Sequence, residues 1–279
     1  MNNDLTKQSS ESTQHEDASS ALVLNVQQAD LRLRPESRIF GQGENNALGI
    51  EQYRLLLGRL LHLQSKMSLK RLLITSAGRS EGKTTVCANL AITIARETDR
   101  KVLLVDADLR KPDVHRIYGL PNEYGLTDIL KNGHDLSKAI RKVRGMNLYV
   151  VTAGSTDSQP LTTSSILSLK LILDQMNTAF DWVLIDTPPI LVAADTPLLA
   201  KLADGILFVV GASETPRDLV VKAKGLLENV PVVGAVLNRH NPIAASYAAY
   251  QKTPYGAKPA PQSIPEKGKL PLRPKGILS

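Results

Sequence analysis

Short apolar runs alternate along the chain with longer segments in which apolar residues recur at helical spacing. The runs lie at residues 72–74, 101–106, 148–152, 182–186, 206–210 and 232–237. Helices are predicted at residues 48–63 and near 163–179, 195–203 and 216–229. Alternation of this kind indicates crossover connections between neighbouring strands. The pattern therefore predicts an α/β fold, with a mainly parallel, doubly wound sheet that carries helices on both faces.

The two ends of the chain depart from this pattern. Residues 1–45 are rich in Ser, Gln, Asn, Asp and Glu and contain one short apolar patch, so we predict a mobile polar arm there. A single domain is expected over residues 46–245. Residues 246–279 combine prolines with Lys and Arg, a composition that predicts a flexible, extended tail without a core of its own.

The segment between the first apolar run and the helix after it has the sequence of a phosphate-binding loop. Such loops need a small residue, about four spacers and then Gly-Lys-Ser/Thr, because successive backbone N–H groups must point at phosphate oxygens. Lys83 would place its ammonium group between the β- and γ-phosphates, and Thr84 offers a hydroxyl to Mg²⁺. The predicted nucleotide-binding residues of this phosphate loop, which spans residues 77–85, are Gly78, Arg79, Ser80, Glu81, Gly82, Lys83, Thr84 and Thr85.

Three carboxylates follow the predicted strands at the same edge of the sheet. Asp106 ends the run at 101–106, Asp108 lies in the turn after it, and Asp186 ends the run at 182–186. Ligands of open α/β sheets bind at the carboxyl ends of the strands, where the phosphate loop also lies. Mg²⁺ takes one or two carboxylates plus phosphate oxygens, so we predict a Mg-nucleotide site. For each aspartate singly, turn formation or a helix cap is the alternative.

Four segments resemble the bacterial tyrosine kinases of capsule and exopolysaccharide synthesis. VLLVDADLRKP at residues 102–112 resembles the second acidic motif of that family, and WVLIDTPP at 182–189 resembles its Walker B motif. GLTDIL at 125–130 and GAVLNR at 234–239 are also similar. The family has the P-loop NTPase fold of the Min and Par ATPases but lacks their extra loop lysine, and this chain has Gly78 and Arg79 there.

The resemblance implies roles for the candidate residues. Lys83 and Thr84 would bind the phosphates of ATP and Mg²⁺, Asp108 and Asp186 would help to hold the metal, and Asp106 would accept the proton of a tyrosine hydroxyl. Sequence does not separate the base from the metal ligands among the three aspartates. Asn238 matches a residue that contacts adenine in this superfamily, and a turn-forming Asn is the alternative.

Two features depart from the family pattern. The loop usually carries Pro-Gly where this chain has Arg79-Ser80, which predicts a different backbone conformation and reduced activity. In the helix before the first strand, the family has Glu, Arg and Arg at three-residue steps, which pair across subunits in a ring. This chain has Glu51, Arg54 and Leu57, so two of the three candidate oligomer contacts are retained. A solvated helix face explains Glu51 and Arg54 equally well.

The tail contains Tyr247, Tyr250 and Tyr255 where the family has a dense tyrosine cluster, and these three are the candidate phosphoacceptors. No apolar run reaches the length of about 18 residues that a membrane span requires. The resemblance then implies a cytoplasmic autokinase that works beside a separate integral membrane co-polymerase and regulates polysaccharide chain length. It would lie at the inner face of the membrane through that partner.

Charge and composition narrow the alternatives. The net charge is +7, but 34 basic and 27 acidic residues largely offset one another, so nucleic-acid binding has weak support. The five histidines show no metal-ligand spacing, and Cys87, the one cysteine, is expected to be a buried small hydrophobe. The alternative function is a Min/Par-like ATPase switch that controls partner docking without tyrosine phosphorylation.

Overall fold

A computed structural model describes residues 26–33, 39, 47–132, 136–155, 161–227 and 230–239 of the chain. The strands are β1 (Gln27–Ala29), β2 (Arg71–Ser76), β3 (Val102–Asp106), β4 (Ile140–Val143), β5 (Leu148–Val151), β6 (Trp182–Asp186), β7 (Gly205–Gly211) and β8 (Val232–Asn238). The helices are α1 (Ala47–Gln64), α2 (Lys83–Glu97), α3 (Val114–Tyr118), α4 (Leu126–Asn132), α5 (Leu136–Ala139), α6 (Thr163–Met176), α7 (Thr196–Ala200) and α8 (Arg217–Gly225).

The described strands form one sheet in the order β1-β4-β5-β3-β6-β2-β7-β8. All neighbouring pairs are parallel except β4 and β5, which are antiparallel. In the register of β3 with β6, Asp106 lies directly opposite Asp186. The order places β2 near the middle of the sheet, so the loop that follows β2 leaves the carboxyl edge between β6 and β7.

Two apolar clusters cover the sheet, one on each face. Alternate residues of β2 point to opposite sides, so Leu73 packs with α6 and α8 whereas Leu72 and Ile74 pack with α1 and α2. The central strands β2, β3 and β6 are buried along their whole length. Burial on both faces explains why these strands are continuous apolar runs, and it confirms the predicted doubly wound α/β fold.

The predicted helix over 48–63 and the strands predicted from the apolar runs are all present, with ends that move by a few residues. One boundary needs correction. Ordered structure was expected to begin near Asn46, but Gln27–Ala29 form β1, which pairs with residues 141–143 of β4. Arg32 N–H also donates to the Tyr118 carbonyl at 2.9 Å, and Ile39 is buried. The remaining residues of the predicted arm lie outside the described part of the chain.

The predictions for the tail and for a membrane span concern residues that the structure describes only in part. The tail and its candidate phosphoacceptors Tyr247, Tyr250 and Tyr255 lie outside them. Of the helices that the structure describes, none combines the length and the apolar character needed to cross a bilayer.

Candidate active site

The phosphate loop connects β2 to α2 at the carboxyl edge of the sheet. Ala77 is buried where β2 ends, and Gly82 precedes the first residue of α2 with φ 88°. Ser80 also has a left-handed backbone, with φ 61°. A non-glycine residue with a left-handed backbone costs on the order of 1 kcal/mol. This cost explains why glycine is usual at the position of Ser80 in the kinases that this sequence resembles.

Lys83 is the first residue of α2, and its side chain is largely buried, with 7% of the residue exposed. Burial raises the pKa of the Asp108 and Asp186 carboxyl groups, and the Lys83 ammonium group lies close enough to both to oppose that increase. The structure therefore brings together the lysine of the phosphate loop and two of the three predicted aspartates. Because these residues come from α2, from the loop after β3 and from β6, their proximity depends on the whole parallel sheet.

Asp106 is fully buried at the end of β3. One carboxylate oxygen accepts the Asp108 N–H at 3.3 Å, and the other accepts the N–H groups of Asp113 and Val114, both at 3.2 Å. Burial raises the pKa of Asp106 well above its ordinary value, and the nearby charge of Asp186 raises it further. Hydrogen bonds thus orient this carboxylate while its surroundings make it a better proton acceptor.

Asp186 is equally buried, and within the described ranges neither of its carboxylate oxygens accepts a hydrogen bond of good geometry. Burial raises the pKa of Asp186 to about 7, although the charge of Lys83 and the Thr84 side chain oppose the increase. Leaving a buried carboxylate unsatisfied is costly, so such a group indicates a site that binds something. Asp106 and Asp186, which we call the acid pair, face the same region from adjacent strands.

Asp108 lies in the turn after β3, where its side chain accepts the Lys111 N–H at 3.0 Å. Burial raises the pKa of Asp108, and Asp195 contributes to this increase. Asp195 was not among the predicted site residues. It is buried before α7 and accepts hydrogen bonds from Arg110 at 3.2 Å and from the Leu161 N–H at 2.9 Å. A lone Asp at the end of the largely apolar segment after β6 gave no sequence signal for this junction.

Asp108, Asp186 and Thr84 fit a magnesium ion. The carboxylate oxygens of Asp186, the carboxylate of Asp108, whose charge acts on Asp186, and the hydroxyl of Thr84 are hard oxygen donors of the type that Mg²⁺ prefers. Within the described ranges, no group of three or more His, Cys, Asp and Glu residues has the arrangement of a metal cluster. Mg²⁺ is usually bound by one or two carboxylates together with substrate phosphates.

Asn238, the predicted adenine contact, ends β8 beside the phosphate loop. Its side-chain amide donates to the Glu81 carbonyl at 2.8 Å. A Cβ atom at Gly82 would overlap the amide nitrogen of Asn238, so only glycine permits this approach. The contact of Asn238 with adenine stays a prediction, since the described contact is with the loop backbone.

Comparison with known proteins places this site in a family. An AAA domain family model matches residues 78–215. The tyrosine-protein kinase YwqD of Bacillus subtilis is 35% identical over 74% of this chain and 87% of its own length. The putative tyrosine-protein kinase CapB of Staphylococcus aureus is also 35% identical, over 68% of this chain and 83% of its own length. The chain belongs to the bacterial tyrosine-protein kinases.

Other relatives differ from this chain in length. The tyrosine-protein kinase wzc of Salmonella typhimurium is 30% identical over 77% of this chain but only 30% of its own length. The kinase domain of the Escherichia coli tyrosine kinase ETK superposes with a TM-score of 0.62 at 28% identity, over 75% of this chain and 87% of that domain.

Two further solved structures extend this comparison. The chimerical protein CapA2B2 superposes with a TM-score of 0.65 at 28% identity, over 81% of this chain and 99% of that protein. The septum site-determining protein MinD of Pyrococcus horikoshii, complexed with Mg-ADP, has a TM-score of 0.51 at 25% identity, over 64% and 76% of the two chains. This bacterial tyrosine-protein kinase therefore has the α/β P-loop fold that the kinase domains share with MinD.

The candidate oligomer contacts of this kinase are paired within the chain. Arg54 contacts Glu51 at 2.6 Å and Glu97 of α2 at 2.9 Å, and all three side chains are at least one-third exposed. Leu57, at the third position of the family pattern, is buried against the core with 4% exposed. The described contacts of Glu51 and Arg54 are those of a solvated helix face, and a role for them in a ring stays a prediction.

Proposed function

We propose that this kinase transfers the γ-phosphate of Mg-ATP to tyrosines of its own tail, and that it regulates exopolysaccharide or capsule polymerisation together with a separate membrane protein. The observation that carries the proposal is the acid pair. Two fully buried carboxylates face each other on adjacent strands, beside the buried Lys83 and next to the phosphate loop. Buried carboxylates are costly without a counter-ion, so the acid pair supports a bound cation, while Lys83 and the phosphate loop support a phosphate group beside it.

The side chains divide the chemistry of phosphoryl transfer between them. Charge spreads over the γ-phosphate oxygens in the transition state, so positioning and neutralisation supply most of the rate. Lys83 would neutralise the phosphates, while Thr84 and Asp186, with Asp108, would hold Mg²⁺. The metal would neutralise the developing charge on the phosphates when bound. Asp106, which three backbone N–H groups orient, would accept the hydroxyl proton of the incoming tyrosine.

The tail supports the autokinase part of the proposal through its position in the chain. It follows β8, whose last residue, Asn238, lies beside the phosphate loop. Tyr247, Tyr250 and Tyr255 come within about twenty residues of that point. A chain of this length can reach a nearby site, so we propose these three tyrosines as acceptors.

A separate membrane partner is supported by the lengths of the relatives. This chain corresponds to 87% of YwqD but to only 30% of wzc, so the kinase domain occurs both nearly alone and as part of a much longer protein. We propose that a separate integral membrane polysaccharide co-polymerase acts with this kinase. It would take the place of the additional segments that the longer relatives carry in the same chain. The basic residues of the tail, such as Lys258, Lys267 and Arg273, could then add attraction to an anionic membrane surface.

Mass spectrometry of the kinase produced together with its membrane partner tests the proposal. Wild type would be compared with Lys83→Met and with Lys170→Met, a matched control in which an exposed lysine paired only with Asp174 is replaced. We expect phosphate on one or more of the three tail tyrosines in wild type and in Lys170→Met. We expect none in Lys83→Met, because the phosphates lose their main cationic contact.

Two results would contradict the proposal. Equal phosphorylation in Lys83→Met would show that another kinase modifies the tail. Nucleotide binding by wild type without any phosphotyrosine in the tail would remove the tail as acceptor, and a nucleotide-dependent switch in partner docking would then account better for the site.

A further inference from the structure

Three loops meet at Glu81, the residue of the phosphate loop that precedes Gly82. The Glu81 carboxylate accepts the Thr215 hydroxyl at 2.7 Å and the Gly78 N–H at 3.2 Å, through the same oxygen. Thr215 lies in the loop after β7, where its own hydroxyl oxygen accepts the Gly211 N–H at 3.1 Å. The Glu81 carbonyl accepts the amide of Asn238 at the end of β8. Glu81 therefore joins the phosphate loop to the ends of two other strands.

The same three loops hold every non-glycine residue with a left-handed backbone in the described chain. Ser80 precedes Glu81 with φ 61°, Ser213 lies two residues before Thr215 with φ 60°, and Arg239 follows Asn238 with φ 59°. Arg239 also pairs with Glu214 at 2.6 Å, which joins the last two loops. Backbone strain of this kind persists only where the surroundings fix it, and it tends to accumulate at functional sites.

Glu81 places a negative charge within the phosphate loop. Only 4% of the residue is exposed, and its second carboxylate oxygen is buried and accepts no hydrogen bond from the residues that the structure describes. A negative charge this close to the phosphates of a nucleotide would by itself weaken binding. A buried acid that costs both desolvation and repulsion needs a compensating role, and its hydrogen bonds indicate that the role is to hold the loop.

We propose that Glu81 is a positioning residue that fastens the phosphate loop to Thr215, so that the loop is already shaped for phosphates before the nucleotide arrives. The proposal rests on the nucleotide binding proposed above. A preformed loop binds its ligand more tightly because less conformational freedom is lost on binding. Since Asn238 holds the carbonyl of the same residue, the fastening also connects the phosphate loop to the strand from which the tail continues.

Two explanations of Glu81 predict opposite signs for one substitution. If its charge only repels phosphate, Glu81→Ala binds nucleotide more tightly than wild type. If Glu81 holds the loop, Glu81→Ala binds about tenfold more weakly, because hydrogen bonds to a buried charge are lost. Glu81→Gln keeps the oxygen that accepts both hydrogen bonds, so it should stay within about threefold of wild type.

The experiment measures the Kd of a fluorescent ADP analogue, with Mg²⁺, for the full chain and its variants. Thr215→Val removes the partner instead of Glu81 itself and should raise Kd about fivefold. Combining Glu81→Ala with Thr215→Val should add little to the larger single effect, because both remove the same bond. Thr93→Val is the matched control, because it removes a hydroxyl from α2 that contacts only the Asn89 carbonyl.

A second readout separates positioning from general loss of structure. In kinase assays we expect KM for ATP to rise in Glu81→Ala and Thr215→Val while kcat changes by less than about twofold, since Lys83 and the acid pair are untouched. Unchanged or tighter binding in both variants, with wild type binding normally, would overturn the inference alone. A wild type that binds no nucleotide would overturn the proposed function and the inference with it.

Discussion

Buried charges near the two ends of strand β2 are arranged in opposite ways. At its beginning, the guanidinium of Arg71 donates to Asp174 at 2.6 Å and to Asn177 at 3.0 Å. Asp204 accepts the N–H groups of Lys70 and Arg71 at 2.8 and 2.7 Å. Near the other end, where Asp186 pairs with Ile74 of β2, lies the acid pair, in which two buried carboxylates lie side by side and Asp186 accepts no hydrogen bond from the residues that the structure describes.

The difference distinguishes charged groups that stabilise the fold from charged groups that serve the reaction. The charged groups that stabilise the fold are paired with groups of opposite charge. Hydrogen bonds from Lys170 and Arg71 lower the pKa of Asp174. In the acid pair, the pKa of each carboxyl is raised instead. Groups that destabilise the isolated protein persist where function requires them. Substitutions at the two ends should therefore have opposite effects on stability and activity.

The largest effect is expected from Asp186→Asn. Loss of the metal-binding carboxylate should reduce kinase activity on the order of a thousandfold. In EDTA at pH 8 the same variant should have a Tm higher by about 3 to 6 °C, because it removes a buried charge whose desolvation outweighs the attraction of Lys83. Parallel activity assays and thermal melts test this, and a lower Tm would contradict the comparison.

Arg71→Met should do the reverse. Only 9% of the Arg71 side chain is exposed, so the variant buries an apolar group where a hydrogen-bonded ion pair stood. We expect the free energy of unfolding to fall by about 2 to 3 kcal/mol and kcat to change by less than about twofold at a temperature where the protein is folded. Urea unfolding measures the first quantity. A large loss of kcat would show that this end of the strand also serves the reaction.

A smaller effect concerns pH. The folded-state pKa of Asp186 is about 7, above the ordinary carboxyl range, so between about pH 4 and 7 the folded protein binds more protons than the unfolded chain. Stability without metal should therefore decrease as pH rises through 7. Urea unfolding in EDTA at pH 6 and pH 8 tests this, and the decrease should be smaller in Asp186→Asn. An identical pH dependence in the two proteins would contradict the assignment.

The smallest effect is expected from Arg54→Ala on the surface of α1. Exposed ion pairs contribute little to stability, so Tm should change by less than about 2 °C. Light scattering on the same samples provides the second measurement. A change in mass would instead show that Arg54 lies in a contact between subunits.

Much of the fold could be predicted from sequence because its central strands are buried on both faces. Such strands must be continuous apolar runs, as at residues 102–105 and 182–185, and their carboxyl ends must meet. This reasoning predicted that Asp106, Asp108 and Asp186 lie at one edge of the sheet, whereas Lys83 was predicted from the spacing of the phosphate loop. The strands at one margin carry no such signal: β1 has the sequence QQA and β4 has IRKV, and each is defined by its neighbour, whereas β8 at the other margin is an apolar run.

The missed parts of the site are contacts between segments far apart in the chain. Thr215 lies 134 residues from Glu81, and Asp195 lies 85 residues from Arg110. A threonine in a loop and an aspartate before a helix are common, so nothing in their types or spacing identifies them. Likewise, Glu81 could be assigned to the phosphate loop from its position, whereas the direction of its side chain depends on where β7 ends.

The burial of Leu57 limits how this kinase could be engineered or could evolve. Restoring the family's second arginine by Leu57→Arg would not rebuild a subunit contact, because the new side chain would enter the core of α1 and α2. The change would first have to be accommodated by repacking that layer. A lineage with leucine here is thus separated from one with arginine by an unstable intermediate.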